Sequence, residues 1–192
     1  SQVVTAARSR LNMLDAGVSI IEESMMATEA FLKARSGWNA VINADAAIRE
    51  ATALAEEMSK ENILASQAKG NEALAFLEEA QQDFSQAEAA YPGLDLSAFK
   101  AYVAKRRESQ QAALAADEAY LSRNKEELEA QNSRYNALEE EAAALAQKLG
   151  EDDPEQIVAL RFYEEIEADQ GAYEAERLKA GNADAFLREY LG

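Results

Sequence analysis

The sequence predicts an all-α protein: an elongated antiparallel helical bundle with two long helices, about residues 38–90 and 96–149, and a four-helix-bundle end. Three observations carry this. Of the 192 residues 42 are alanine, with only two prolines and eight glycines, a composition that favours long helices. Apolar residues recur at spacings of three and four over long stretches, as they do on one face of a helix. Two clusters of helix-breaking residues, at 91–95 and 150–154, divide the chain.

The first helix has the clearest pattern. Val4, Ala7, Leu11, Leu14, Val18, Ile21, Met25, Thr28 and Leu32 form an a/d seam of the kind that packs at a shallow angle against a second helix. Ala6, Met13, Ile20 and Ala27 form a second row, so two partners are expected, as in a bundle. Ser36 and Gly37 mark the first expected turn. Val41, Ile48 and Ala55, with Ala44, Ala51 and Met58, restart the pattern in the second helix, which Gly70 and Asn71 either interrupt or kink.

Pro92 and Gly93 then break the chain, and Asp95 is placed to cap the next helix. From 96 to 149 no breaker occurs, which predicts a helix about 80 Å long. Leu114, Leu121, Leu128, Tyr135, Ala142 and Leu149 repeat every seven residues along it, while the companion position holds Asp117, Asn124 and Gln131. Those polar residues either set the register of a half-exposed seam or form a polar layer facing a ligand. After Gly150, Asp153 is a plausible N-cap, Pro154 suits the first helical position and Gln156 completes a capping box. Val158, Phe162, Ile166 and Tyr173 give the last helix an apolar stripe, with a break expected at Gly181 and Asn182. Short turns make successive helices antiparallel, so the first and fourth helices should meet where the second begins and the third ends, leaving an arm with residues 91–95 at its tip. The whole is one elongated domain over 1–192, or two stacked bundle modules sharing the long helices.

The chain has neither cysteine nor histidine. That removes disulfides, thiolate and imidazole metal sites, triads and the usual neutral-pH base, so no enzyme activity and no cofactor are expected. With 19 basic against 36 acidic residues the formal charge is −17, which disfavours nucleic acid and anionic lipid as partners. No apolar run reaches the length of a membrane span. The chain starts at Ser1 without a methionine or an apolar leader, which suggests a soluble fragment of a longer protein. The acidic runs Glu22–Glu23, Glu56–Glu57, Glu139–Glu141 and Glu164–Glu165 read as solvated helix faces, because the dimetal Glu-x-x-His pattern needs histidine.

Arginine stands out in so acidic a chain. The core stripe that begins with Phe99 and Val103 continues to Arg106, Arg107 and Gln110. Either the two guanidiniums reach the surface and pair with nearby glutamates, or they face inward with Tyr102 and hold a small carboxylate by bidentate hydrogen bonds. Trp38 reads as a packing anchor at the bundle end.

Residues 27–33, Ala-Thr-Glu-Ala-Phe-Leu-Lys, are echoed by residues 182–188, Asn-Ala-Asp-Ala-Phe-Leu-Arg. With the alanine-rich helix that comes after the first copy, this arrangement resembles the periplasmic helical-bundle and helical-bimodular sensor domains of methyl-accepting chemotaxis receptors. That resemblance implies a periplasmic or extracellular, non-catalytic domain that binds a small molecule between helices and signals as a homodimer. Ala30 and Ala185 stand where the family has lysine, so no ligand contact is carried over. The competing expectation is a structural or adaptor rod that docks other proteins through helical faces. A sensor should have a pocket where arginines converge; a rod should have a tightly packed alanine seam and an exposed stripe.

Overall fold

The computed structural model describes residues 2–191, apart from the side chains of Leu187, Tyr190 and Leu191. Five helices and no strand occur among the described residues: α1 (Gln2–Glu56), α2 (Lys60–Ala90), α3 (Ser97–Leu121), α4 (Lys125–Leu149) and α5 (Pro154–Leu191). The all-α bundle is as the composition implies, but several helix boundaries differ from the sequence reading.

Ser36 and Gly37 are not a turn. They lie inside α1, a single helix of 55 residues that spans about 82 Å. One unbroken row of small residues explains its continuity: Ala27, Ala30, Ala34, Gly37, Ala40, Val41, Ala44, Ala47, Ile48 and Ala51 are all buried along one face. Gly37 serves packing, since a Cβ there would lie 2.7 Å from Phe84 Cε1 and 2.9 Å from its Cδ1. Gly70 likewise neither ends nor kinks α2; a Cβ would meet Gln110 Nε2 at 2.6 Å and Leu114 Cδ2 at 2.8 Å, so it admits α3. Gly181 and Asn182 continue α5, with Ala180 and Ala183 buried on either side of them.

The real breaks use polar caps. Ser59 begins α2 by accepting the Asn62 N–H at 3.2 Å, so the predicted helix 38–90 is the end of α1 plus α2. The predicted helix 96–149 is α3 and α4, parted where Arg123 takes a positive φ of 57° and Asn124 accepts the Glu127 N–H at 3.1 Å. Glu126 and Glu127 in that first turn add favourable charge near the helix dipole. The two expected turns are present. Gly93 has φ +83° and Gly150 φ +62°, and Gln156 Oε1 accepts the Asp153 N–H at 3.4 Å, as a capping box requires.

Along its C-terminal half α1 runs antiparallel to α2, where Lys69 meets Glu50 at 2.9 Å. Ser66 on α2 bonds Asp117 on α3, and Lys105 on α3 meets Glu141 on α4. These four helices form the bundle. The N-terminal half of α1 packs along α5, antiparallel, from Phe31 beside Phe162 down to Arg10, whose Nη2 donates to Asp184 at 2.7 Å. The arm is therefore α1 with α5. Residues 91–95 sit at its root rather than at a tip, because Tyr91, Leu94 and Leu96 are buried in the core with Phe84, Phe99, Leu149 and Val158. Trp38 meets Phe99 edge-on at 5.6 Å in the same core.

Candidate functional site

Arg106 lies one turn beyond Val103 on the inner face of α3, and its side chain is only 12% exposed. Nη1 donates to both oxygens of Glu139 on α4 at 2.8 Å, and Nη2 donates to Asp45 Oδ1 on α1 at 2.9 Å. Ser109 Oγ donates to Glu139 Oε1 at 2.6 Å, holding that carboxylate in place. Burial works against the arginine's charge, yet Glu139 and Asp45 outweigh it and its pKa lies above the ordinary value. Tyr102 lines the same cleft between α1, α3 and α4, of about 300 Å³, and burial followed by the nearby Asp45 charge raises its phenol. Arg106 and Tyr102 are thus brought together. Arg107 is not: it is half-buried outside that cleft and has no ion-pair partner among the described residues.

The fork of Arg106 is taken by two internal carboxylates. An incoming carboxylate would have to displace one of them, so the group works as a clamp tying three helices together.

Nearer the turns at 57–59 and 122–124 the bundle interior becomes polar. A cleft of about 150 Å³ is lined by Ser66, Gln110, Asp117, Asn132 and Tyr135 together with Ala51, Ala55, Ala113 and Ala116. Asp117 accepts from Ser66 Oγ at 3.0 Å, while Asn124 is the α4 cap and Gln131 donates to Glu127. The three polar heptad positions therefore do not form one layer. Burial raises the Asp117 pKa above 3.8, opposed by the Ser66 bond. Folding thus binds the proton more tightly than the unfolded chain does, so this group's contribution is fully present at acid pH and is lost as pH rises through the folded value. Asp117→Asn keeps the acceptor for Ser66 and removes the charge. It should raise the melting temperature at pH 7, with the gap closing towards pH 3; an equal or lower melting temperature at pH 7 would mean that the carboxylate is solvated.

A second clamp, which the sequence did not reveal, joins arm to bundle. The Tyr91 hydroxyl donates to Glu23 Oε2 at 2.7 Å, and the Arg161 guanidinium lies 4.8 Å above the Tyr91 ring while Nη2 donates to the Pro92 carbonyl. Burial, and then Glu23, push the Tyr91 phenol well above its ordinary range. Glu23 is therefore not simply part of a solvated acidic pair.

On α1 the expected seam and its neighbouring row exchange roles. Ala6 and Ala27, from the second row, are buried, whereas Leu11, Leu14, Val18, Ile21, Met25 and Leu32 are 52% to 68% exposed. At the same helical phase further on come Arg35, Asn39, Ile42, Ala46 and Arg49, so the stripe becomes mixed where the bundle begins, with Ile42 still 52% exposed. Beside Thr28 and Leu32 it continues into an apolar groove of about 290 Å³ walled by Phe31, Val158, Phe162 and Tyr163. Of the internal echo, residues 27–33 lie at the root of the arm and 182–188 near its end; the Leu187 side chain lies outside the described residues. Among the described residues no three potential ligands converge as a metal cage, and no helix is long and apolar enough to cross a membrane. Comparison with protein-family models, with curated proteins and with solved structures returned no match.

Proposed function

We propose that the chain is a non-catalytic helical scaffold that joins another helical surface through the stripe on the N-terminal half of α1. The observation that carries this is the run of six large apolar side chains, Leu11 to Leu32, exposed in a/d register on one helix. The rod expectation is further supported by the alanine-packed face of α1 and by Arg106, whose charge is already engaged inside the molecule. Leu14→Glu combined with Ile21→Glu should leave the stability of the monomer within about 0.5 kcal/mol, as surface changes do. A loss of several kcal/mol in a denaturant titration of the double variant would show that the stripe is core and sink the proposal.

The resemblance to chemoreceptor sensor domains supports a second reading, a periplasmic domain binding a small molecule among its helices. The polar cleft at Ser66, Asp117 and Tyr135 favours it. A thermal-shift panel of carboxylates and amino acids separates the two: the scaffold reading expects no shift, and a saturable one lost in Tyr135→Phe would favour the sensor.

A further inference from the structure

We infer that the end of the bundle farthest from the arm binds a small phosphomonoester, its phosphoryl group held by Lys60, Arg123 and Lys125 and its organic body lying on Tyr120, Leu121 and Leu128. This site is separate from the stripe on α1 and goes beyond the scaffold reading.

A cleft of about 450 Å³ opens where the turn at 57–59 meets the turn at 122–124, larger than the cleft of about 300 Å³ at Arg106. Its walls run against the composition of the chain. Acidic residues outnumber basic ones by 36 to 19 overall, yet three cations line this cleft and no carboxylate does. All three are exposed, and neither Lys60 nor Arg123 has an ion-pair partner among the described residues, while Lys125 meets Glu129 loosely at 3.7 Å. Carboxylates close by in sequence are engaged elsewhere: Glu57 accepts from Asn62, Glu118 from Gln67 and Glu127 from Gln131. Three positive groups around one opening, with no carboxylate in its walls, repel one another until an anion enters.

The two turns hold this arrangement in place without a ligand. The Tyr120 hydroxyl donates to the Met58 carbonyl, tying the end of α3 to the turn before α2. The chain leaves α3 through Arg123 at a φ of 57°, so Arg123 and Lys125 flank the Asn124 cap. Lys60 and Lys125 are the first residues of α2 and α4, and the positive ends of both helix dipoles add to the potential of the side chains.

Charge and shape select the ligand. A carboxylate brings two coplanar oxygens and one negative charge, which a single guanidinium satisfies. A phosphoryl group brings three terminal oxygens and close to two negative charges, a match for three separate cations. The partly buried Tyr120, Leu121 and Leu128 add an apolar wall that the inorganic ion would leave uncovered and an aromatic or aliphatic body would cover.

Isothermal titration of the full chain with phenyl phosphate tests this. A saturable one-to-one complex is expected, about tenfold tighter than with inorganic phosphate because the ring is withdrawn from water, and tighter than with benzoate. Lys60→Gln and Arg123→Gln should each weaken it roughly tenfold, the scale of one charge-assisted hydrogen bond, at unchanged helicity. Arg8→Gln, which removes an exposed cation from the arm, should leave the affinity as it is. Equal affinity for benzoate would overturn the preference for a phosphoryl group, and equal affinity for inorganic phosphate would overturn the role of the apolar wall. Absence of saturable binding in the millimolar range, or binding that survives loss of both Lys60 and Arg123, would overturn the site itself.

Discussion

Replacing Arg106 with methionine should cost about 2–4 kcal/mol, although the two side chains fill similar volume. The loss comes from what remains behind. Asp45 and Glu139, each about a third exposed at 32% and 31%, would face each other across the cleft with no cation between them. Ser109 would still bond Glu139, so the carboxylate could not easily turn to water. Urea denaturation monitored by circular dichroism measures the cost. Replacing Arg106, Asp45 and Glu139 together with apolar residues should recover most of the loss or exceed the parent, since a buried ion group is expensive to break and cheap to remove whole. If the single change is neutral, the clamp is fully solvated and the fork of Arg106 is available to a ligand after all.

Gly37→Ala should destabilise the protein by about 1–3 kcal/mol, the usual cost of overpacking. By helix propensity alone the substitution would gain about 0.8–1 kcal/mol, so the expected sign is opposite to the local rule. Phe84 decides it, because the ring that the new methyl would strike is fully buried and has nowhere to move. Gly171→Ala is the matched control: nothing lies within 4 Å of its Cβ position, so it should stabilise by close to the propensity gain. Shrinking the ring with Phe84→Leu should relieve part of the Gly37→Ala penalty, a coupling that a double-mutant cycle reads directly. Stabilisation by Gly37→Ala would mean that α1 and α2 lie farther apart than they do here.

Glycine explains much of what the sequence did and did not reveal. Gly150 caps α4 and Gly93 turns the chain after α2, both with positive φ, and they were legible as turns because a proline stands in each cluster. Gly37 and Gly70 look the same in sequence but are there to let helices approach, a role that depends on residues 47 and 40 positions away, Phe84 and Gln110. The breaks at Ser59 and Asn124 lack glycine and proline; their signal was a polar cap before an acidic first turn, weaker than the long helical pattern around it. The seam misled for a related reason. Of two apolar rows on α1 the one with more large side chains looks like core, yet packing buries the small residues Ala6, Ser9 and Ala27 and leaves the larger row outside. At Arg106 the helical phase left two orientations open, and the structure combines them: the side chain lies inside beside Tyr102 and is paired with carboxylates there. Its carboxylate partners come from helices 61 and 33 residues away, and a local pattern carries no information about them.

The pairing of α1 with α5 also orders events in time. Arg10 and Asp184 are 174 residues apart, and Ser19 and Asp169 are 150 apart, whereas α1 meets α2 across the turn at 57–59. A chain emerging from the ribosome holds most of the bundle once Leu149 is made, but Val158 of its core and the partners of Arg10 and Ser19 come only with α5. Until then both apolar rows of the first helix are open to water, and closing so long a loop is the slow, non-local step of the fold. Residues 154–191 act as a covalent timer, deciding when the N-terminal half of α1 stops exposing apolar residues on two sides and exposes them on one.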